Sequence, residues 1–390
     1  MDPRRLTAPG PKRILSLDGG GVRGMLTLAI LERIEAMLAQ ATGRTDGSFR
    51  LAHYFDLIGG TSTGSIIATG LALGYSASEL LDLYRALARK VFRRPIWRLG
   101  LFGPKFTRPP LQQALTRVLG DELFESPKLI TGLAVVIKRA DNGSVWVLHN
   151  NPRGRYYDAP PDDPNAFPNR KIKILSAVLA STAAPTYFQP EFFEIAKGIR
   201  GAFVDGGASP HNNPSLLLFM LAALRGYNFN WEVGADKLLL TSVGTGRFRR
   251  RHTEQELRRQ MSAHLAVNTL VSMIDDSNQQ TQTLLQLMGT SPTARVIDGE
   301  MGDLRADQMD DTKLLHYLRY DGQLEIDWLE KNMGQRFLPE AVRKLQQMDN
   351  PSTMETLIAI GRIVAERHVR PEHFPEIFHR TIWPAGQKAA

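Results

Sequence analysis

The chain of 390 residues contains no cysteine, which removes disulfides, thiolate metal sites and cysteine nucleophiles from consideration. No apolar run approaches the roughly 20 residues that span a bilayer. The opening stretch, Met1-Asp2-Pro3-Arg4-Arg5-Leu6, lacks the apolar core of a signal peptide. Cytoplasmic residence is the expectation that follows. There is no internal repeat and no low-complexity tract. Zinc-finger spacing, an aromatic RNA-binding motif and a continuous basic helix are missing too, so no nucleic-acid polymer is expected as a partner.

What is present is ordinary globular material. A hydrophobic content of 43% is enough for a full core in one large domain or two modest ones. The net charge of +8 permits contact with anionic lipid or acidic metabolites without choosing between them. The first half alternates short apolar runs with helical patterns, which predicts α/β architecture. Arg13–Leu17, Ile130–Ile137, Val145–Leu148, Ala202–Asp205 and Lys237–Val243 read as strands. Leu26, Ile30, Ile34, Met37 and Leu38 recur along one helical face between Met25 and Ala41. Ile172–Ala184 and a stretch from Ser215, with Asn213 placed to cap it, read as further helices. Beyond Gly246 the pattern turns helical, over Glu254–Met288, Leu324–Asn332, Ala341–Met348 and Ser352–Arg367.

Three glycine-rich segments carry chemistry. The first is Gly60-Thr61-Ser62-Thr63-Gly64, between an apolar run and a small-residue helix. A serine at such a strand-to-helix turn is lifted above the sheet edge, where a helix N-terminus favours developing negative charge. The plainer reading is a glycine-rich turn with a solvated serine. The second is Asp18-Gly19-Gly20-Gly21-Val22-Arg23-Gly24. It fits a dinucleotide fingerprint, but Asp18 would set a carboxylate beside the pyrophosphate, and no second strand with a ribose-binding acid follows. The same geometry can converge backbone N–H groups on an oxyanion. Arg23 either adds charge there or makes a surface salt bridge. The third is Asp205-Gly206-Gly207 at the end of a short strand, an acid that either forms a turn or serves as base for Ser62. None of the nine histidines has the setting of a triad member, which makes a Ser–Asp dyad the simpler arrangement.

Taken in this order, the segments resemble the patatin-like phospholipases, whose D-G-G-G-x-R-G, G-x-S-x-G and D-G-[AG] motifs are matched without departure. Ala180–Phe188 also resembles a family segment that precedes the acidic motif. The likeness covers about Ile14 to Gly246. It implies a three-layer α/β fold with a mostly parallel central sheet between helices, plus a helical C-terminal extension. The implied organisation is a short N-terminus (1–11), a catalytic domain (12–246) and a helical C-terminal region (247–390). It further implies Ser62 as nucleophile and Asp205 as proton acceptor. Gly19, Gly20, Gly21, Arg23 and Gly24 become the oxyanion loop. Gly60, Thr61, Thr63 and Gly64 frame the nucleophile, and Gly206 and Gly207 follow the acid. No metal and no cofactor are required.

The substrate expected from this resemblance is a phospholipid or other acyl lipid, cleaved through an acyl-Ser62 intermediate. A dyad without imidazole suits esters better than amides, because nothing is poised to protonate an amine leaving group. The segment Arg93–Phe106 interleaves cations with Trp97, Leu101 and Phe102. It suits peripheral contact with the inner face of a membrane, or packs on the core as an ordinary connection. The run Arg247–His252 can hold an anion, either a lipid headgroup or a nucleotide effector, or remain solvated. Some bacterial members of the family answer to cyclic nucleotides in anti-phage defence, and a cyclic-nucleotide activator is therefore weighed here. The competing classes are a catalytically silent sensor on the same fold and a dinucleotide-dependent enzyme.

Overall fold

The computed structural model describes residues 4–92, 106–249, 254–255, 262–307 and 312–379. Among them run nine strands of one sheet. They are β1 (Lys12–Leu17), β2 (Leu57–Thr61), β3 (Gly132–Arg139), β4 (Val145–His149), β5 (Glu191–Ala196), β6 (Ile199–Asp205), β7 (Leu238–Val243), β8 (Gly289–Thr290) and β9 (Leu315–Tyr320). Their order is β5-β6-β3-β2-β1-β7-β9-β8, with β4 paired to β3. The run from β3 through β8 is parallel, while β4, β5 and β6 pair antiparallel.

Side-chain alternation along the strands separates two apolar layers. Leu15, Leu17, Ile58, Leu239 and Leu318 face a core shared with the helices Gly24–Ala41, Thr63–Ala72, Ala77–Val91, Ile174–Ser181 and Met354–His368. Ile14, Leu57, Leu238, Leu240 and Tyr317 face the opposite layer, closed by the helix Ser215–Ala223, by Leu285 and by Trp231. This is the layered α/β arrangement anticipated from the sequence. Asn213 does supply the acceptor at the start of Ser215–Ala223, taking the Ser215 N–H at 3.1 Å.

The strands expected in the first half are all present, shifted by at most three residues at an end. The reading of residues beyond 246 as helices alone is incomplete. The helices Ser262–Met288, Ile326–Met333, Pro339–Gln346 and Met354–His368 are there, yet β8 and β9 also come from this stretch and extend the sheet past β7. The proposed interfacial residues Trp97, Leu101 and Phe102 lie outside the described residues, as do Arg250–His252. Phe106, at the edge of that segment, is buried, edge-on to Phe92 and stacked on Tyr187. Among the described residues, no helix is long and apolar enough to cross a membrane.

The register of the two central strands is fixed at their amino ends by a buried ion pair. Arg13 donates from Nε and Nη2 to the two carboxylate oxygens of Asp56, at 2.9 and 3.0 Å. Its backbone N–H adds a third bond at 2.9 Å. The clamp holds Ile14 opposite Leu57, which places Leu17 opposite Gly60 at the carboxyl ends, where the glycine loop and the serine turn emerge. Removing one partner of such a pair strands a buried charge. Asp56→Ala should therefore lose about 3–5 kcal/mol in urea unfolding; a loss below about 1 kcal/mol would show that the pair does not hold the register.

Candidate active site

Ser62 follows directly on β2 and caps the helix Thr63–Ala72 with φ +54° and ψ −124°. A side chain at positive φ is strained by about 1–3 kcal/mol, and such strain persists only where neighbours over-determine it. Here they do. The Ser62 N–H donates to Ser181 Oγ at 2.8 Å, and that hydroxyl donates onward to the Val136 carbonyl at 2.7 Å. The Ser62 carbonyl accepts the Ser65 hydroxyl at 2.6 Å and the Ser65 N–H at 2.9 Å. The turn is also too tight for side chains. A Cβ on Gly60 would lie 2.2 Å from the backbone of Gly64, and one on Gly64 would lie 2.1 Å from the Leu17 carbonyl oxygen. Thr61 sends its hydroxyl to the His211 carbonyl at 2.6 Å.

The turn aims Ser62 at the end of β6. Ser62 Oγ donates to Asp205 Oδ2 at 2.7 Å, across 143 positions of sequence. The other carboxylate oxygen, Oδ1, accepts the Gly207 N–H at 2.7 Å. Asp205 is 5% exposed. Burial pushes its carboxyl up to about 6, against the opposing pull of the bonds from Ser62 and Gly207. Gly206 lies where a Cβ would meet the Val136 carbonyl at 2.5 Å. No histidine ring is hydrogen-bonded to Ser62 or Asp205 among the described residues.

The glycine loop after β1 packs on the same turn, with Gly19 so close that an added Cβ would reach Ser62 Cβ at 3.1 Å. Its N–H inventory is informative. Gly19 donates to Asn212, Val22 to Met348 and Arg23 to Gly20. Gly20 and Gly21 donate to no acceptor among the described residues. Their neighbours are committed. The Gly21 carbonyl takes hydroxyls from Tyr84 and Thr63 at 2.9 and 3.1 Å, and the Gly19 carbonyl takes that of Thr245 at 2.9 Å. Gly21, at φ +57°, would clash with the Met348 carbonyl if it carried a Cβ. Arg23 contacts the chain after β7. It donates to the Gly246 carbonyl at 3.3 Å and lies over the Phe248 ring, so it braces the loop against the chain after β7. Gly24 opens the helix behind the loop, tight against Thr63.

The acid of the loop has a partner that the sequence reading did not supply. Asp18 receives Arg319 in a bidentate pair, Nη1 to Oδ1 at 2.9 Å and Nη2 to Oδ2 at 2.7 Å. Arg319 also reaches Asp321 and Ser242, at 2.9 and 2.7 Å. The carboxylate that argues against a bound pyrophosphate is thus turned under the loop and neutralised from β9. The available signal was a lone cation inside the apolar run Leu314-Leu315-His316-Tyr317-Leu318-Arg319-Tyr320, which requires a buried acid somewhere. Ser181 sits in the Ala180–Phe188 segment noted above, but nothing in the sequence shows that its hydroxyl receives the Ser62 N–H.

With this geometry in view, comparison with known proteins places the chain. Residues 15–219, more than half of the chain, match the patatin-like phospholipase family, and the chain belongs to it. It is similar to the cGAMP-activated phospholipase of Escherichia coli (strain TW11681), 33% identical over 238 residues, or 60% of this chain and 62% of that protein. A protein of the same name from Vibrio cholerae is 34% identical over 225 residues, 53% of this chain and 56% of the relative. Patatin-like protein 1 of Arabidopsis thaliana is 29% identical over 262 residues, 61% of this chain and 59% of that protein. The chain thus spans less than two thirds of the length of these curated relatives. Among solved structures, VipD from Legionella pneumophila is similar at a TM-score of 0.34 and 11% identity, over 90% of this chain and 67% of that one.

If Arg319 supports the loop, Arg319→Gln leaves Asp18 buried without its counter-charge. Stability should fall by about 3–5 kcal/mol, and Asp18→Asn in that background should restore part of it. Thermal unfolding of the two single variants and the double variant measures this. Simple additivity would break the link between β9 and the glycine loop.

Proposed function

We propose that the chain is a serine lipid acyl hydrolase that releases free fatty acid from membrane phospholipid. The observation that carries this reading is the 2.7 Å bond from the strained Ser62 hydroxyl to a buried Asp205. Ser62 Oγ attacks the ester carbonyl as its proton passes to Asp205 Oδ2. The carbonyl oxygen becomes an oxyanion, met by the unengaged N–H groups of Gly20 and Gly21. Collapse breaks the ester C–O bond, and the departing alkoxide takes the proton back from Asp205. Water then gives a proton to Asp205 as it attacks acyl-Ser62. The second collapse frees the fatty acid and returns the proton to Ser62.

Two features make this assignment chemically economical. A carboxylate near its ordinary pKa is a poor base for a hydroxyl, and burial of Asp205 raises its basicity toward neutral pH. The nucleophile needs no further activation from histidine, because a single carboxylate takes and returns the proton. Relatives named as cGAMP-activated support a second element of the reading, that a cyclic nucleotide activates this chain. Residues 247–390 belong to the same catalytic unit in this reading, since they supply Arg319 to the glycine loop.

Ser62→Ala should lower release of fatty acid from phospholipid vesicles by more than about a thousandfold, and Asp205→Ala by about a hundredfold or more. Both variants should keep the wild-type circular dichroism. Labelling by a serine-reactive phosphonate should vanish in Ser62→Ala; near-normal turnover or labelling there would defeat the assignment. Because Asp205 works as the carboxylate, kcat/KM should rise with pH through an apparent pKa of about 6 and then level off. A profile flat between about pH 5 and 8 would remove Asp205 as the base.

A further inference from the structure

Beyond the dyad, one arginine is held rigidly with its terminal nitrogens uncommitted. Arg295 follows β8 on a stretch that runs beside β9, where Thr293 Oγ1 accepts the Arg319 N–H at 2.8 Å. Its Nε donates to Gln282 Oε1 at 2.6 Å. Gln286 clasps its backbone from both sides, donating to the Arg295 carbonyl at 2.9 Å and accepting the Arg295 N–H at 3.3 Å. Both glutamines are buried, at 3% and 2% exposure. Buried amides that fix an arginine at Nε leave its outer fork pointing to whatever lies beyond. Among the described residues no carboxylate lies within ion-pair distance of that fork.

A second uncommitted guanidinium converges on the same place. Arg247 leaves the carboxyl end of β7, pinned by its backbone to Gly322 and Leu324 at 2.9 and 2.8 Å. Its half-buried side chain also has no carboxylate within ion-pair distance among the described residues. Glu325 acts on Arg247 from beyond ion-pair distance and accepts the Arg249 N–H at 2.9 Å, and the other acids nearby are engaged. Asp321 accepts Arg319 on one oxygen and the Gly246 N–H on the other, and Asp18 takes both forks of Arg319. Burial, then repulsion from Arg247, lowers the Arg295 guanidinium to about 10, outweighing the more distant pull of Asp321. The carboxyl edge of parallel strands is where open α/β sheets take ligands. Planar, weakly hydrated guanidiniums are suited to phosphate oxygens.

We propose that Arg295 and Arg247 form a phosphodiester-binding site at the carboxyl ends of β7 and β9, beside the glycine loop. The residues immediately before Arg247 contact that loop directly, Thr245 at the Gly19 carbonyl and Gly246 at Arg23. A phosphodiester held there therefore bears on the loop that carries the free Gly20 and Gly21 N–H groups. Its source is either the headgroup of the phospholipid substrate or a free cyclic dinucleotide. Only the first source rests on the hydrolase reading above.

The experiment uses the full chain and Arg295→Gln, Arg295→Lys and Arg247→Gln, each first checked by thermal unfolding. In one arm cGAMP is titrated calorimetrically into wild type and variants. In the other, KM for phosphatidylglycerol vesicles is compared with KM for an uncharged p-nitrophenyl acyl ester, without nucleotide. A dinucleotide site predicts cGAMP binding weakened about tenfold or more by either glutamine variant, with partial rescue in Arg295→Lys. A headgroup site predicts a similar rise in KM for phosphatidylglycerol relative to the neutral ester, and no such change for cGAMP. Folded glutamine variants that move neither ratio overturn the proposal. If Arg295→Gln fails to fold, Arg247→Gln alone decides it, since that side chain bonds to nothing among the described residues. Loss of the hydrolase reading would show separately, as ester turnover surviving Ser62→Ala.

Discussion

The candidate site depends on one ion pair that joins residues 301 positions apart, Asp18 at the start of the glycine loop and Arg319 in β9. A carboxylate buried beneath a loop of glycines is untenable alone, because its desolvation cost is several kcal/mol. With both oxygens bonded to one guanidinium, the same carboxylate becomes an anchor. The loop it anchors has almost no side chains with which to hold itself. Its shape is imposed from outside, by Arg319 below, by the Met348 carbonyl on Val22, and by Thr245 on Gly19. All three of these contacts come from beyond residue 243. The form of the glycine loop therefore depends on the later strands and helices as well as on Asn212, Thr63 and Tyr84.

The serine turn solves the opposite problem. Its strain at Ser62 is local, and so are most of the bonds that offset it, from Ser65 and from the glycines that let β2, β1 and the helix crowd together. The Ser62 N–H reaches further, to Ser181, which in turn rests on β3 through the Val136 carbonyl. The Cβ of Gly206 would strike that same carbonyl group. One peptide of β3 thus sets the height of both the serine backbone and the chain just after Asp205. That shared support explains how two side chains from separate strands meet at 2.7 Å without a third group between them.

The parts of the site legible in the sequence were those whose chemistry is local. Glycines at tight turns, a serine between strand and helix, and an acid at a strand end each carry their reason within a few residues. The positions of β1, β3, β4, β6 and β7 were legible as well, because short apolar runs need no knowledge of partners, whereas β5 was not anticipated. What escaped was non-local. β9 was missed because an apolar run of six residues with an arginine inside it is poor evidence for a strand unless Asp18 is known to await that arginine. Arg23 was weighed as a charge for the oxyanion or as a surface salt bridge. Its contacts in the structure include the Gly246 carbonyl and the Phe248 ring, since a long side chain at the loop's end can reach backward as easily as forward.

If Asp205 is the base, as proposed, an aspartate in place of an imidazole has a consequence for the bond that can be cut. During ester cleavage the departing oxygen carries full negative charge and is strongly basic, so any nearby acid, even one as weak as protonated Asp205, satisfies it as the bond breaks. An amine must receive its proton before or during C–N cleavage, from an acid aimed at the leaving nitrogen. Asp205 spends one oxygen on the Gly207 N–H and points the other at Ser62, so it faces the nucleophile and not the far side of the tetrahedral carbon. Burial raises its pKa, which helps it take the serine proton and equally makes it slower to give the proton up. In the proposed mechanism the geometry around Asp205 thus favours esters through its orientation, one oxygen held by Gly207 and the other aimed at Ser62.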